Sequence, residues 1–299
     1  MTYGGATDVS RAALSEVEGS SVGRPGGGAR RSINHMNQKV NQRIVGATPA
    51  GAPDRESAAA AVREMFTSIA PRYDLLNHVL SFNIDRLWWW RAARRFEAIL
   101  KRPEARVLDL CCGTGDMAFA LRRRAAAGAS QILGADFSHA MLLRAAAKAA
   151  EKPPDKGRSA TLGWIEADAL RLPFPDGHFD LVTSAFGFRN LADYDAGLHE
   201  IARVLAPTGE CGILDFGEPR GLIGQCYRVY FKKVLPAVGT MISGVRGPYA
   251  YLPASVERFP APDEMLGRMR QARFREASWT PYTFGIAGLY RGVKESQNL

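Results

Sequence analysis

No stretch of the 299 residues is apolar for as many as 18 consecutive positions, so no segment has the makings of a membrane-spanning helix. The N-terminus lacks the charged-then-apolar pattern of a secretory signal, which argues against export. Cysteine is scarce, with Cys111, Cys112, Cys211 and Cys226 alone, and no two stand in a C-x-x-C pair. That spacing suits neither a zinc knuckle nor a disulfide framework, and a reducing compartment is the simple reading. No cluster of His, Cys and carboxylates suggests a metal, and His139 and His178 are assigned to surface turns. Acids are in deficit, 30 against 39 Lys and Arg, for a formal charge of +9. Residues 1–58 supply only +2 of this, so the folded part carries the excess. Such a surface suits nucleic acid or anionic phospholipid headgroups, and charge alone does not choose between them.

What is present is 46% apolar residues, ample for one sizeable core. Residues 1–58 are rich in Gly, Ser, Ala and Arg and nearly free of aromatics. They cannot bury enough apolar area to offset their ordering entropy, which predicts a disordered extension. Deleting residues 1–56 should then leave activity intact. A targeting peptide is the sharper alternative, but no amphipathic Arg-rich helix is visible there. Residues 59–299 form the expected domain, with a helical cover over 59–104 and an insertion over 217–262. Val62, Met65, Phe66 and Ile69 fall on one helical face, which Pro71 ends. Trp88, Trp89 and Trp90 fan across about 200° of a helix. All three cannot face one core, so either one is partly exposed or the cluster meets a ligand or membrane.

From Arg106 onward, short apolar strands alternate with helices. Strands are expected at Val107–Leu110, Gln131–Ala135, Thr161–Glu166, Phe179–Ser184 and Cys211–Asp215, with helices at Met117–Ala127, His139–Glu151 and Tyr194–Leu205. This alternation predicts an α/β fold, a parallel sheet covered on both faces. Two further strands, Glu276–Tyr282 and Ile286–Val293, would close one edge as an antiparallel pair.

The strongest chemical signal is Val107-Leu-Asp-Leu-Cys-Cys-Gly-Thr-Gly-Asp116, an apolar strand running into a glycine turn that opens a helix. Gly113 and Gly115 would let backbone approach a ligand. Gly113-x-Gly115-x-x-Ala118 also fits the dinucleotide fingerprint. A diphosphate needs bare N–H groups at the helix start, however, and Asp109 and Asp116 would repel it. Those carboxylates suit a ligand carrying an ammonium and a sulfonium. Asp136, at the second strand end, can accept both hydroxyls of a ribose. Asp168-Ala169, after the third, can accept from an adenine amino group. Each Asp alone is more often a cap or turn residue; three at successive strand ends make the stronger case.

These motifs, with Gly134-Ala-Asp-Phe-Ser138 and Leu172-Pro-Phe-Pro-Asp-Gly-His-Phe-Asp180, resemble those of class I methyltransferases. Phe186-Gly-Phe-Arg-Asn190, Ala70-Pro-Arg-Tyr-Asp-Leu-Leu-Asn77 and Tyr249-Ala-Tyr-Leu-Pro-Ala-Ser255 narrow the resemblance to the UbiE/MenG/COQ5 family. It covers about Val62 to Lys294. The resemblance implies a Rossmann-like, seven-stranded, mostly parallel sheet and S-adenosyl-L-methionine as methyl donor. It also implies C-methylation of a prenylated quinol ring, demethylmenaquinol by preference, with a methoxybenzoquinol of ubiquinone synthesis as the alternative. Thr114, Asp136, Asp168 and Ala169 match the family's donor-binding positions. Ala185 departs from the Ser that many members carry before the Phe-Gly, so one hydroxyl contact to the donor is missing.

Methyl transfer from a sulfonium needs an electron-rich carbon, and a quinol ring becomes one when a hydroxyl loses its proton. Arg189 can stabilise the resulting phenolate and Asn190 can fix the ring, as catalytic candidates. The bland reading of Arg189 is an ion pair with nearby Asp193. Tyr73 and Asn77, on the covering segment, are weaker candidates. In the insertion, Tyr227, Tyr230 and Phe231 share a helical face beside Arg228, Lys232 and Lys233, which suits a lid or an interfacial helix on anionic lipid. A cytoplasmic location is expected, at the inner face of the cytoplasmic membrane when the protein is lipid-associated, and a homodimer is compatible with the chain. The rival readings are a nucleic-acid methyltransferase and a non-catalytic binding module. The first lacks an Asn-Pro-Pro-Tyr-type strand end to hold an extruded base. The second leaves the strand-end acids unexplained.

Overall fold

The computed structural model describes residues 46–47, 49, 52–70, 74, 81, 83–126, 131–151, 160–219, 221–235 and 247–296. The expected extension lies outside the described residues as far as residue 45, and so do Tyr73 and Asn77. Order nevertheless begins earlier than composition predicts. Ala47 is buried and its N–H donates to the Leu191 carbonyl at 2.8 Å. Helix α1 (Arg55–Ile69) opens at Asp54, whose side chain accepts from the Ser57 N–H at 2.8 Å. Arg55 pairs with Asp193 at 2.6 Å. These anchors involve single residues scattered along a polar stretch, which no hydrophobic periodicity marks.

Seven strands form one sheet: β1 (Arg106–Leu110), β2 (Gln131–Asp136), β3 (Thr161–Glu166), β4 (Phe179–Ala185), β5 (Leu205–Phe216), β6 (Phe274–Tyr282) and β7 (Ala287–Lys294). Their order is β3-β2-β1-β4-β5-β7-β6. The first five run parallel, and β7 is antiparallel to both neighbours. The alternation of short apolar strands and helices is thus realised, with the antiparallel pair at one edge. β5 begins six residues before the expected Cys211. Leu205 pairs with Phe179, the register then shifts, and Leu181 pairs with Glu210. The intervening Pro207-Thr-Gly reads as a turn in sequence and masks that pairing.

The helices are α2 (Ile84–Arg95), α3 (Glu97–Leu100), α4 (Asp116–Arg122), α5 (His139–Glu151), α6 (Tyr194–Val204), α7 (Gly221–Val229), α8 (Gly247–Arg258) and α9 (Pro262–Gln271), with a π-helical turn at Tyr230–Val234 after α7. α4 stops short of the expected Ala127 because the Ala126 N–H donates to Leu100 instead of continuing the helix. One face of the sheet buries Trp88, Trp89, Phe96, Met117 and Leu121; the other buries Leu198, Ile201, Met265 and Met269. Phe96 fills the space where a Cβ on Gly212 of β5 would stand, at 2.4 Å from its ring. Its full burial is worth roughly 1.5–3 kcal/mol and clamps the helical cover to the sheet. Strand order reverses between β1 and β4, so a crevice opens at their C-terminal ends, where α/β sheets bind ligands.

Candidate active site

At that crevice the chain leaves β1 through left-handed backbone at Cys111, Gly113 and Gly115, with φ of 53°, 54° and 86°. A Cβ on Gly115 would stand 2.6 Å from the Trp164 ring, and a Cβ on Gly187 would stand 2.4 Å from Cβ of Cys111. The turn after β1 is therefore wedged between β3 and the loop after β4. Gly115 makes room for this packing, and Gly113, Thr114, Asp136, Asp168, Ala169, Arg189 and Asn190 line the cavity beyond. That cavity holds about 320 Å³.

Its polar end is built from strand-end carboxylates. Asp136 accepts from the Gly113 N–H at 2.8 Å and the Ser138 N–H at 2.9 Å, one bond to each oxygen. Each oxygen keeps a lone pair for a ligand hydroxyl. Burial pushes its carboxyl up to about 6. Asp109, wholly buried on β1, accepts from Thr183 at 2.9 Å, and burial pushes it up to about 7. Asp168 holds the loop after β3 by accepting from the Leu170 N–H at 2.9 Å. Burial, with Asp136 and Asp109 nearby, raises the thiols of Cys111 and Cys112, which stay protonated and unreactive. His139, exposed, opens helix α5 and not a turn, and meets Glu166, while His178 follows the turn before β4, stacked on Phe174.

Asp116 differs from its sequence reading. The Lys148 ammonium on α5 lies 2.7 Å from it, 3.1 Å from Asp74 and 3.2 Å from the Thr114 hydroxyl. Thr114 in turn donates to Asp74. Lys148 is shared between Asp116 and Asp74, so the three side chains together still carry one negative charge. The preference for a cationic ligand rests on that charge together with Asp109, Asp136 and Asp168.

Arg189 follows β4 in a short 3₁₀ turn and is 5% exposed. Its ion-pair partner is Asp215 at the end of β5, at 2.9 Å, and not Asp193. Asp193 instead caps α6 through the Ala196 N–H and pairs with Arg55. Asp215 also accepts the Arg189 N–H at 3.1 Å, and Arg189 donates to the Phe186 carbonyl. The guanidinium lies over the Phe216 ring, 5.1 Å from its centroid. Its Nε is buried without a hydrogen-bond partner among the described residues. Asn190 accepts from the Tyr251 hydroxyl of α8 at 3.2 Å, so the insertion reaches the catalytic candidates.

The rest of the cavity is aromatic. Trp88, Phe186, Phe216, Phe231 and Tyr227 follow one another at centroid spacings of 5.7, 4.6, 5.9 and 5.1 Å. Trp88 and Trp89 are buried and line the cavity while Trp90 is 45% exposed, so both readings of the triple tryptophan hold in part. The Tyr227 hydroxyl is a second buried donor lacking a partner among the described residues. Burial raises it strongly, eased by the charge of Arg189 nearby. Asp215, Lys148 and Asp74, which bind the lining residues Arg189, Thr114 and Asp116, were given no role by motif reading. Asp215 carried a signal, a lone acid ending the apolar strand Ile213–Phe216. Lys148 carried none, one base among many on a helix.

A profile of the ubiE/COQ5 methyltransferase family matches residues 54–294. A demethylmenaquinone methyltransferase of Deinococcus radiodurans is 48% identical over 242 residues, 81% of this chain and 95% of that protein. One from Thermus thermophilus is 48% identical over 229 residues, 76% of this chain and 99% of that protein. Among solved structures, a SAM-dependent methyltransferase from Thermotoga maritima has a similar fold, with a TM-score of 0.51 at 19% identity, covering 78% of this chain and 99% of that one. The chain belongs to the ubiE/COQ5 methyltransferase family and is an S-adenosylmethionine-dependent methyltransferase.

Proposed function

We propose that the protein C-methylates the ring of a prenylated quinol, converting demethylmenaquinol to menaquinol. The observation that carries this reading is the pair of buried, unpartnered donors, Nε of Arg189 and the Tyr227 hydroxyl, among the described residues lining one aromatic cavity. A buried donor without a partner is costly. A quinol, flat and apolar with an oxygen at each end of the ring, supplies acceptors for such donors while its ring lies against aromatic side chains. The relatives from Deinococcus and Thermus carry demethylmenaquinone methyltransferase names, which supports the naphthoquinol over the benzoquinol.

S-adenosylmethionine, when bound, supplies an electrophilic methyl group on a sulfonium. Asp136 would hold its ribose hydroxyls and Asp168-Ala169 its adenine, and Gly113 and Thr114 would serve its amino-acid end. Arg189 acts on the quinol: its charge lowers the pKa of the hydroxyl beside Nε and stabilises the phenolate, so that a ring carbon becomes nucleophilic. Asp215 holds the guanidinium through Nη1, which leaves Nε for the substrate. Asn190, tied to Tyr251, sets the plane of the ring. The ring hydrogen displaced by the methyl leaves as a proton.

No helix among the described residues is long and apolar enough to cross a membrane. We place the enzyme in the cytoplasm, at the inner membrane face while it takes substrate. Complementation of strains blocked in menaquinone or ubiquinone synthesis, with mass spectrometry of the extracted quinones, tests the reading. Rescue of menaquinone is expected, and rescue of ubiquinone alone would assign the benzoquinol instead.

A further inference from the structure

Phe284 is the most exposed large apolar side chain among the described residues, at 76%. It sits in the β6–β7 turn with φ 58° and ψ 21°, between Thr283 and Gly285, both also at positive φ. A bulky residue in left-handed backbone is a conformational outlier. Positive φ at Thr283 and Phe284 suits the tight antiparallel β6–β7 connection, but the turn also holds an aromatic ring in water. An exposed ring at a hairpin tip, beside a second exposed apolar side chain, points to a partner outside the chain.

The surroundings identify the partner's chemistry. Thr283 accepts from Trp88 Nε1 at 2.8 Å, and Arg91 lies over Tyr282 at 4.5 Å, so α2 runs alongside the turn. Leu87, next to Trp88, is 50% exposed. On α2, Arg91 and Arg95 both act on Tyr282 beside the turn, whereas Arg86 and Arg94 lie toward Trp90 and Glu97 on another side of the helix. An apolar tip flanked by arginines has the composition of an interfacial anchor on anionic lipid. Trp88, Thr283 and Ile286 line the cavity, so this edge borders its wall.

We propose that the edge formed by Phe284, Leu87, Arg91 and Arg95 docks on an anionic phospholipid bilayer. Phe284 enters the headgroup–acyl boundary and the arginines meet lipid phosphates. The cavity wall then lies against the membrane that dissolves a prenyl chain, a step that rests on the quinol reading above.

The test uses the full chain with vesicles of phosphatidylcholine, alone or mixed with phosphatidylglycerol, and measures co-sedimentation. The wild type should bind the mixed vesicles and lose them as salt rises. Phe284→Ser should weaken partitioning by about tenfold or more, and Arg91→Gln with Arg95→Gln by roughly fivefold for each base removed. Turnover of a short-chain, water-soluble demethylmenaquinol should be unchanged in Phe284→Ser, while turnover of a long-chain quinol in mixed vesicles falls. Absence of wild-type binding to mixed vesicles, or binding indifferent to Phe284→Ser, would overturn the proposal. So would light scattering that shows Phe284→Ser dissolving a dimer, since the edge would then belong to a second copy. Lack of turnover on the soluble quinol alongside the predicted vesicle binding would count against the substrate reading and leave the docking surface standing.

Discussion

Consider replacing Asp215 with Ala. Its carboxylate is wholly buried and accepts three bonds: from Nη1 of Arg189 at 2.9 Å, from the Arg189 N–H at 3.1 Å and from the Phe216 N–H at 2.9 Å. Arg189 itself is 5% exposed, so the substitution leaves a guanidinium in the core with no counter-charge. Breaking a buried pair from one side costs roughly 3–5 kcal/mol, because the remaining charge is still desolvated. Urea unfolding should show a loss of that size. Replacing both partners, Asp215→Leu with Arg189→Met, removes the charges together and should restore most of the stability. The two variants should be alike in single-turnover methylation, each about 10²–10³ slower than wild type, since neither presents an aimed donor to the phenolate. Their calorimetric affinity for the donor should stay near the wild-type value. If the double variant recovered activity along with stability, Arg189 would be a structural residue and the mechanism would be wrong.

Three further expectations concern neighbouring parts of the site. Asp136 must be ionised to accept ribose hydroxyls, and burial raises it to about 6, so calorimetry should show donor affinity falling as pH drops through that value; a flat profile from pH 5 to 8 would refute the assignment. Tyr227→Phe removes a buried hydroxyl that has no partner among the described residues, so stability should hold or rise slightly while kcat/KM for the quinol falls about two- to tenfold; equal kcat/KM would exclude contact with substrate. Deleting residues 1–45 should leave thermal stability unchanged, whereas deleting 1–56 should lower it by about 1–3 kcal/mol, through loss of the Asp54 cap, the Ala47–Leu191 bond and the Arg55–Asp193 pair.

The sheet was legible because its evidence is periodic and local. Short apolar strands, glycine turns and strand-end acids each lie within a few residues of one another, and six of the nine proposed site residues follow directly from β1, β2 or β3. Asp136 and Asp168 could be placed on the crevice before any coordinate was known, since strand ends in a parallel sheet converge on the switch point. Pairings across the sequence were not legible. Asp193 stands four residues from Arg189 and Asp215 twenty-six away, yet the distant one is the partner, because β5 lies beside β4. Lys148 reaches the glycine turn from the far end of a helix, and no motif announces the meeting. Gly115 shows a subtler limit: its need for glycine was plain, but Trp164, packed where a Cβ would stand, was not.

The most direct test is transfer of an isotopically labelled methyl group by the purified enzyme from S-adenosylmethionine to a short-chain demethylmenaquinol, read by mass spectrometry and proton resonance of the product. The label should sit on the ring carbon, and Arg189→Met should slow its appearance about 10²–10³-fold without loss of donor binding. Label on a quinol oxygen, or no transfer from a donor that binds, would contradict the account.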